Sequence, residues 1–258
     1  MSDIEASQLM LRRFKLATMA QELGPTQDRA LAEGWSFGRT LRELLEIESD
    51  SRDQRRLARL LKESGLPEGK TLASLETKRL SVANRRRLSE LCEGHFTDRA
   101  TNVLAFGLPG RGKSHYLCAI GHELIQRHRK RVLFTPSYKL IQRLLEAKGD
   151  LRLDAYIRKL DRFDALIIDD LGYVQQTREE MEVLFTLLAE RYERSSVMIS
   201  SNLVFSKWDQ IFQDTMTAMA AVDRLVHHSV ILEFGGQSQR AATRKENAKG
   251  REREGAAG

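Results

Sequence analysis

The sequence predicts an α/β fold in which a five-stranded parallel sheet is flanked by helices and follows an all-helical N-terminal domain. Up to about residue 91, apolar side chains recur at helical spacing, as in Leu41, Leu44 and Leu45, and β-branched residues are sparse. After His95, short apolar runs alternate with helical stretches, which is typical of parallel strands joined by crossover helices. The predicted strands are 102–106, 131–135, 165–169, 197–201 and 230–234, and helices are predicted at 115–127 and 178–194.

Composition and turn residues divide the chain into predicted parts. Gly24–Pro25 and the Gly-Leu-Pro run at 65–67 are turn signals that separate the helices of the N-terminal domain. The C-terminal end carries basic and acidic residues but no large apolar side chain, so it is predicted to be disordered. The predicted parts are the helical N-terminal domain at 1–70, a helical connector at 71–95, the α/β domain at 96–237 with a basic helical insert at about 136–163, and a basic tail at 238–258.

Charge and cysteine content limit the classes of protein that fit. Lys and Arg outnumber Asp and Glu by 42 to 36, a surplus that suits an anionic partner but is also common on ordinary soluble proteins. Cys92 and Cys118 lie far apart and form no CxxC pair, which favours a reducing compartment and no structural zinc. No apolar run approaches the roughly 20 residues that span a bilayer. We therefore expect a soluble, cytoplasmic protein without membrane contact.

A glycine-rich segment follows the first predicted strand. Residues 107–114 read Gly-Leu-Pro-Gly-Arg-Gly-Lys-Ser and match the pattern G-x-x-x-x-G-K-[ST] at every fixed position. Glycines let such a loop turn with positive φ and bring backbone N–H groups to phosphate oxygens, and the next helix adds its N-terminal amides. Lys113 is predicted to reach the β- and γ-phosphates, and Ser114 to coordinate Mg²⁺. The predicted nucleotide-binding residues are Gly107, Leu108, Pro109, Gly110, Arg111, Gly112, Lys113, Ser114 and His115.

Two consecutive carboxylates end another predicted strand. In the segment DALIIDDLGY, Asp169 is predicted to hold the Mg²⁺ shell, and Asp170 to orient and deprotonate an attacking water. Acidic pairs also end strands in solvated turns, which is the alternative interpretation. The phosphate-binding loop upstream favours the catalytic one.

Polar residues also end the strand predicted within the segment SSVMISSNL. If this strand is inserted between the first strand and the one that carries the acids, Asn202 lies beside the γ-phosphate, where it can sense the phosphate or position water. Ser and Asn at a strand end are also ordinary turn residues. Asn202 is therefore a candidate that depends on strand order.

These segments, in this order, resemble those of AAA+ ATPases of the DnaA and DnaC initiator and loader group. The chain is more closely similar to the IstB family, the ATP-binding helper proteins of insertion-sequence transposition, and the resemblance extends over about 11–240. It rests on HFTDRATNVLAFGLPGRGKSHYLCAIG, LDRFDALIIDDLGY, LFTLLAERYERSSVMISSNLVFSKWDQIFQD and AAVDRLVHHSVILEFGGQSQR. The N-terminal segment FGRTLRELLEIESDSRDQRRLARLLKESGLPEGKTLASLE is similar to the helical domain of such proteins.

The resemblance implies a P-loop NTPase that binds ATP and Mg²⁺ and hydrolyses ATP. It implies catalytic roles for Lys113, Asp170 and Asn202. It also implies that Arg224 reaches the nucleotide of a neighbouring subunit, with a solvated or salt-bridged arginine as the alternative. Asp170 is one methylene shorter than the Glu of many AAA+ proteins, which leaves the hydrolysis rate open. The chain after Phe234 is too short for the helical lid of many AAA+ proteins, so no full lid domain is expected.

Relatives of this kind bind duplex DNA with little sequence choice and act on a transposase. The helical insert carries seven basic and four acidic residues, and phosphate contacts from its Lys and Arg would be indifferent to base sequence. Arg85–Arg87 and the basic stripe at 52–62 are alternative DNA or partner surfaces, and a solvated helix face is the ordinary role of such charges. The candidate DNA contacts are Lys139, Arg143, Arg158 and Lys159.

The function implied by the resemblance is that of an ATP-dependent regulator of transposition in the bacterial cytosol. ATP is expected to stabilise a homo-oligomer on target duplex DNA, and this assembly is expected to recruit and stimulate the partner transposase until hydrolysis dismantles it. A DnaC-like helicase loader, which would grip a helicase and single-stranded DNA, is one alternative. A nucleotide-switched scaffold without hydrolysis is the other, because Asp170 is the shorter acid.

Overall fold

The computed structural model describes residues 2–172, 177–203 and 225–235. The chain divides into two compact units, residues 1–59 and 60–258. Within the described ranges, no helix is both long enough and apolar enough to cross a membrane. The elements in chain order are α1 (Asp3–Arg13), α2 (Ala17–Glu33), α3 (Phe37–Ser64), a 3-10 turn (Thr77–Arg79), α4 (Val82–Cys92), α5 (His95–Asp98), β1 (Asn102–Phe106), α6 (Lys113–His128), β2 (Val132–Pro136), α7 (Ser137–Gly149), α8 (Leu153–Leu160), β3 (Ala165–Leu171), α9 (Arg178–Arg191), β4 (Ser196–Ser201) and β5 (Ser229–Glu233).

The turn predicted at Gly24–Pro25 is wrong, because α2 continues through the proline. Met19 and Ala20 are buried before Pro25 and Ala30 is buried after it, so one apolar stripe extends along the whole helix. This burial outweighs the backbone hydrogen bond that Pro25 cannot donate. The turn predicted at 65–67 is confirmed, since α3 ends at Ser64 and Gly65 follows with φ +62°.

Glu48 is a buried carboxylate in the helical unit, and it holds the start of α2. Its Oε2 accepts the backbone N–H groups of Thr18 and Met19 at 2.9 Å each, where the helix has no side-chain cap of its own. Arg52 Nε donates to Glu48 Oε1 at 2.7 Å. Burial raises the pKa of Glu48, but the hydrogen bonds from Met19, Arg52 and Thr18 outweigh it and leave the pKa below its usual value.

The five predicted strands are confirmed as one parallel sheet with the order β2-β3-β4-β1-β5. All residues of β1 and β4 are buried, as expected for central strands covered on both faces. α6 packs closely on the sheet at Gly121, where an added Cβ would lie 2.9 Å from Ile167 Cδ1. The order places β4 between β1 and β3, so the carboxyl ends of these three strands share one edge.

Arg191, at the end of α9, bonds backbone carbonyl groups that lie shortly before β3 and at the start of β4. Its guanidinium donates to the carbonyl oxygens of Leu160 and Phe163 at 2.9 Å and of Ser196 at 3.2 Å. The side chain is almost fully buried, and its nearest carboxylate is Asp161 at 3.7 Å. Burial lowers the pKa of Arg191 to about 10, so the group stays charged at neutral pH.

We expect Arg191→Ala to lower the free energy of unfolding by about 3 kcal/mol, because it leaves buried acceptors without a donor. Urea denaturation followed by circular dichroism measures the loss. The matched control is Arg194→Ala, whose side chain is 62% exposed and pairs with the same Asp161 at 3.8 Å. That control is expected to lose less than about 1 kcal/mol. Equal losses in the two variants would contradict the role given to Arg191.

Candidate nucleotide-binding site

The glycine-rich loop joins the end of β1 to the start of α6. Gly107, Gly110 and Gly112 have φ values of +145°, +77° and +87°, a region that side chains with a Cβ rarely adopt. At Gly107 there is also no room, because an added Cβ would lie 2.4 Å from the carbonyl oxygen of Phe234 at the end of β5. Gly112 is the N-cap of α6 and offers no side chain to the first amides of this helix. The loop therefore suits an anion bound by backbone N–H groups.

Lys113 connects this loop to β4. Its Nζ donates to the carbonyl oxygens of Gly107 at 2.6 Å and Leu108 at 3.1 Å, and to Asn202 Oδ1 at 2.8 Å. The lysine is buried, so these acceptors compensate the charge. The structure thus brings Lys113 and Asn202 together, as strand order required. A phosphate oxygen that bound Lys113 would compete with these acceptors.

The two acids lie at the end of β3, beside the same strand β4. Asp169 is buried, and its Oδ1 accepts a hydrogen bond from Ser200 Oγ at 2.5 Å. Asp170 is exposed, and its backbone has φ +58°. Asp169 is therefore held inside the site, whereas Asp170 faces solvent, where a water molecule can reach it.

The guanidinium group of Arg111 indicates that the loop fits an anionic group. Its Nε and Nη1 are shielded from solvent and make no hydrogen bond to any residue of the described ranges. Buried guanidinium nitrogens without an acceptor are costly, and phosphate oxygens are among their best acceptors. The loop, Lys113 and Arg111 fit a phosphate group, and Ser114 and Asp169 carry oxygen atoms of the kind that Mg²⁺ prefers.

Several residues that contact the first turn of α6 could not be predicted from the sequence. His115 Nε2 lies 3.1 Å from both Ser74 Oγ and the carbonyl oxygen of Thr71, so the segment before α4 contacts the first turn of α6. The hydroxyl of Tyr116 donates to the carbonyl oxygen of Asn84 at 2.8 Å. Its ring meets Phe234 edge-on, with centroids 5.3 Å apart. These partners come from distant parts of the chain, and no local pattern indicates them.

The structure brings the basic insert close to the acids. α7 begins directly after β2, and Ser137 Oγ in its first turn donates to the carbonyl oxygen of Asp170 at 3.0 Å. The candidate DNA contacts Lys139 and Arg143 are exposed on α7, and Arg158 and Lys159 are exposed on α8. In the described part of the chain, no carboxylate forms an ion pair with these four side chains. Arg224, the arginine expected to reach a neighbouring subunit, lies outside the described residues.

Several basic residues of the alternative surfaces form ion pairs within the chain. Arg86 and Arg87 both contact Glu90, at 3.2 and 2.9 Å. Arg52 and Arg55 both contact Glu48 in the helical unit, at 2.7 and 3.5 Å. Among the described residues, more basic side chains of the insert than of these surfaces lack an ion pair with a carboxylate.

Comparison with known proteins agrees with this geometry. The family described as IstB-like ATP binding protein matches residues 9–247. An insertion sequence ATP-binding protein of Sinorhizobium fredii is 41% identical over 90% of this chain and 78% of its own length. The insertion sequence IS21 ATP-binding protein of Pseudomonas aeruginosa is 34% identical over 90% of this chain and 88% of its own length. The crystal structure of the DnaC helicase loader has a TM-score of 0.54 at 15% identity, covers 65% of this chain and 98% of its own, and supports the fold alone.

We expect Gly107→Ala to weaken ATP binding by about tenfold or more, because the new Cβ forces the loop away from Phe234 and strains the backbone. Isothermal titration calorimetry measures the affinity, and thermal unfolding checks that the variant is folded. Gly149→Ala is the control, since a Cβ at that position meets nothing within 4 Å. Parental affinity in Gly107→Ala would show that the close approach to β5 does not shape the site.

Proposed function

The chain belongs to the IstB-like ATP-binding protein family, and on this premise we propose that it is an ATP-dependent, DNA-binding helper of insertion-sequence transposition. In this proposal, ATP and Mg²⁺ stabilise a homo-oligomer on target duplex DNA in the bacterial cytosol. The oligomer recruits and stimulates the partner transposase, and ATP hydrolysis dismantles it. The observation that best supports the proposal is that one strand end contacts both parts of the site. Asn202 bonds Lys113, and Ser200, two residues before it, bonds the buried Asp169.

The residues of the site have distinct roles in hydrolysis. Loop amides, Lys113 and Arg111 hold the phosphates, and Ser114 and Asp169 would hold Mg²⁺, which would neutralise phosphate charge. Asp170 accepts a proton from the water whose oxygen attacks the γ-phosphorus, while the bond to the β–γ bridging oxygen breaks and gives ADP and phosphate. Asn202 orients the γ-phosphate or this water.

In this proposal, ATP hydrolysis depends on an adjacent subunit of the oligomer. By resemblance, Arg224 stabilises the charge that develops on the nucleotide of an adjacent subunit, so hydrolysis requires an oligomer.

In the domain organisation that we propose, residues 96–237 carry the ATPase, with the basic insert at about 136–163. The helical N-terminal domain, 1–70, serves self-assembly or transposase contact, the connector spans 71–95 and the basic tail spans 238–258.

The insert is the proposed DNA surface. Its exposed Lys139, Arg143, Arg158 and Lys159 have no internal ion pairs among the described residues, so contact with DNA phosphates would displace none. The hydrogen bond from Ser137 to Asp170 joins the start of α7 to the catalytic segment. DNA bound along α7 would therefore act on the geometry of this segment.

Two alternatives have specific tests. The fold likeness to the DnaC helicase loader keeps a loader function as the second candidate, and preference for single-stranded over duplex DNA would favour it. A scaffold that binds ATP without hydrolysing it is the third candidate. Equal ATP turnover in the parent and in Asp170→Asn, with DNA present, would favour the scaffold.

We expect Lys113→Ala to abolish ATP-dependent oligomerisation on duplex DNA, because the variant lacks the ammonium that neutralises the β- and γ-phosphates. Analytical ultracentrifugation with a DNA fragment and a slow-hydrolysing ATP analogue measures assembly. Lys78→Ala removes an exposed lysine in the 3-10 turn of the predicted connector and is the charge-matched control. Full assembly of Lys113→Ala would contradict the mechanism.

We expect the double variant Lys139→Ala/Arg143→Ala to bind duplex DNA more weakly and to reduce the slope of log affinity against log salt by about 2, since each lost phosphate contact removes about 0.9. Fluorescence anisotropy over a salt series measures both quantities. The comparison variant is Arg85→Ala/Arg86→Ala on α4. A larger loss in the α4 variant would move the DNA surface away from the insert.

A further inference from the structure

The segment that carries the two acids leaves the regular pairing with β4, although Asp169 stays in register with Pro136 of β2. Ile168 of β3 is in register with Ile199 of β4, and the next registered pair is Leu171 with Ser201. Asp169 and Asp170 therefore face the single residue Ser200, which is the geometry of a β-bulge. Asp170 has φ +58°, a left-handed conformation that is unfavourable for a residue with a Cβ. On the β4 side, groups other than the strand ladder therefore have to hold this segment.

Ser200 fills that role with one hydroxyl. Its Oγ accepts the backbone N–H of Asp170 at 2.9 Å and donates to Asp169 Oδ1 at 2.5 Å. A hydroxyl has one donor hydrogen and two acceptor lone pairs, so both contacts form at once. Ser200 is fully buried, and its bond to the carboxylate has the short length of a charge-assisted O–H···O⁻ contact.

Two other serines hold the backbone of the same segment without touching a carboxylate. Ser137 Oγ donates to the carbonyl oxygen of Asp170 at 3.0 Å, and Ser201 Oγ donates to that of Leu171 at 2.8 Å. Ser201 is as fully buried as Ser200. Together these hydroxyls supply bonds to polar groups that the bulge removes from the ladder. Among the three, Ser200 alone reaches the side chain of Asp169.

We propose that Ser200 is a positioning residue, which fixes the Asp169 carboxylate for the divalent cation and the backbone of Asp170 for the attacking water. The proposal rests on the proposed ATPase function. With Oδ1 held by Ser200, the carboxylate cannot rotate freely, and Oδ2 accepts no hydrogen bond from a residue of the described ranges. Hydrogen bonds that orient a ligand in this way typically raise metal affinity by about 10- to 100-fold.

Ser200→Ala tests the proposal through cation binding. The probe is Mn²⁺, followed by electron paramagnetic resonance with the β,γ-imido analogue of ATP bound. We expect the Mn²⁺ dissociation constant to rise by about tenfold or more. The affinity for the analogue without metal is expected to stay within about twofold, because the loop amides and Lys113 are unchanged. This split between cation and nucleotide affinity is what a merely structural role would not produce.

Ser201→Ala is the matched control, since it removes an equally buried hydroxyl that bonds the same segment but no carboxylate. Its Mn²⁺ affinity is expected to equal that of the parent. Ser200→Cys keeps the side-chain shape, with a somewhat larger sulfur atom, and replaces the hydroxyl by a weak donor, so it is expected to lose Mn²⁺ affinity. This second variant keeps the proposal testable if Ser200→Ala fails to fold. A folded Ser200→Cys with parental Mn²⁺ affinity would overturn the proposal. Failure of the parent to bind the analogue would instead overturn the proposed ATPase function.

Discussion

The position of β4 between β1 and β3 is the constraint on which the site depends. The carboxyl ends of parallel strands lie at one edge, so this order brings the end of β4 against the glycine-rich loop on one side and the acids on the other. Ser200 contacts Asp169, and Asn202, two residues later, contacts Lys113. A single strand end thus links the groups that would hold phosphate to those that would hold the cation.

Local strain in the site is compensated by side-chain hydrogen bonds. Asp170 and the loop glycines adopt positive φ, and β3 loses its regular pairing with β4 where the acids lie. The serine hydroxyls around this segment bond its backbone groups, and the acceptors around Lys113 compensate its buried charge. Arg111 is different, because two of its shielded nitrogens find no acceptor in the described residues. Such an arrangement is organised before an anion binds, which is how electrostatic sites stabilise developing charge.

Much of the fold could be predicted from the sequence, because short apolar runs and the spacing of the phosphate-loop pattern are local features. Asn202 could be predicted only conditionally, since its place depends on strand order. The bulge at Asp169 and the bonds of Ser200 could not be predicted, because register is set by tertiary pairing between distant strands. The turn predicted at Gly24–Pro25 is wrong because it was read from a local pattern. Burial along α2, which depends on tertiary packing, outweighs the local preference for a turn.

In the function that we propose, the main-chain amides of residues 107–114 bind the phosphates of a magnesium-complexed adenine nucleotide. Hydrogen exchange of these amides, measured by mass spectrometry with and without ATP and Mg²⁺, tests it most directly. We expect exchange in this loop and in the first turn of α6 to slow markedly when both are present. Unchanged exchange in the loop at saturating ATP and Mg²⁺ would contradict it.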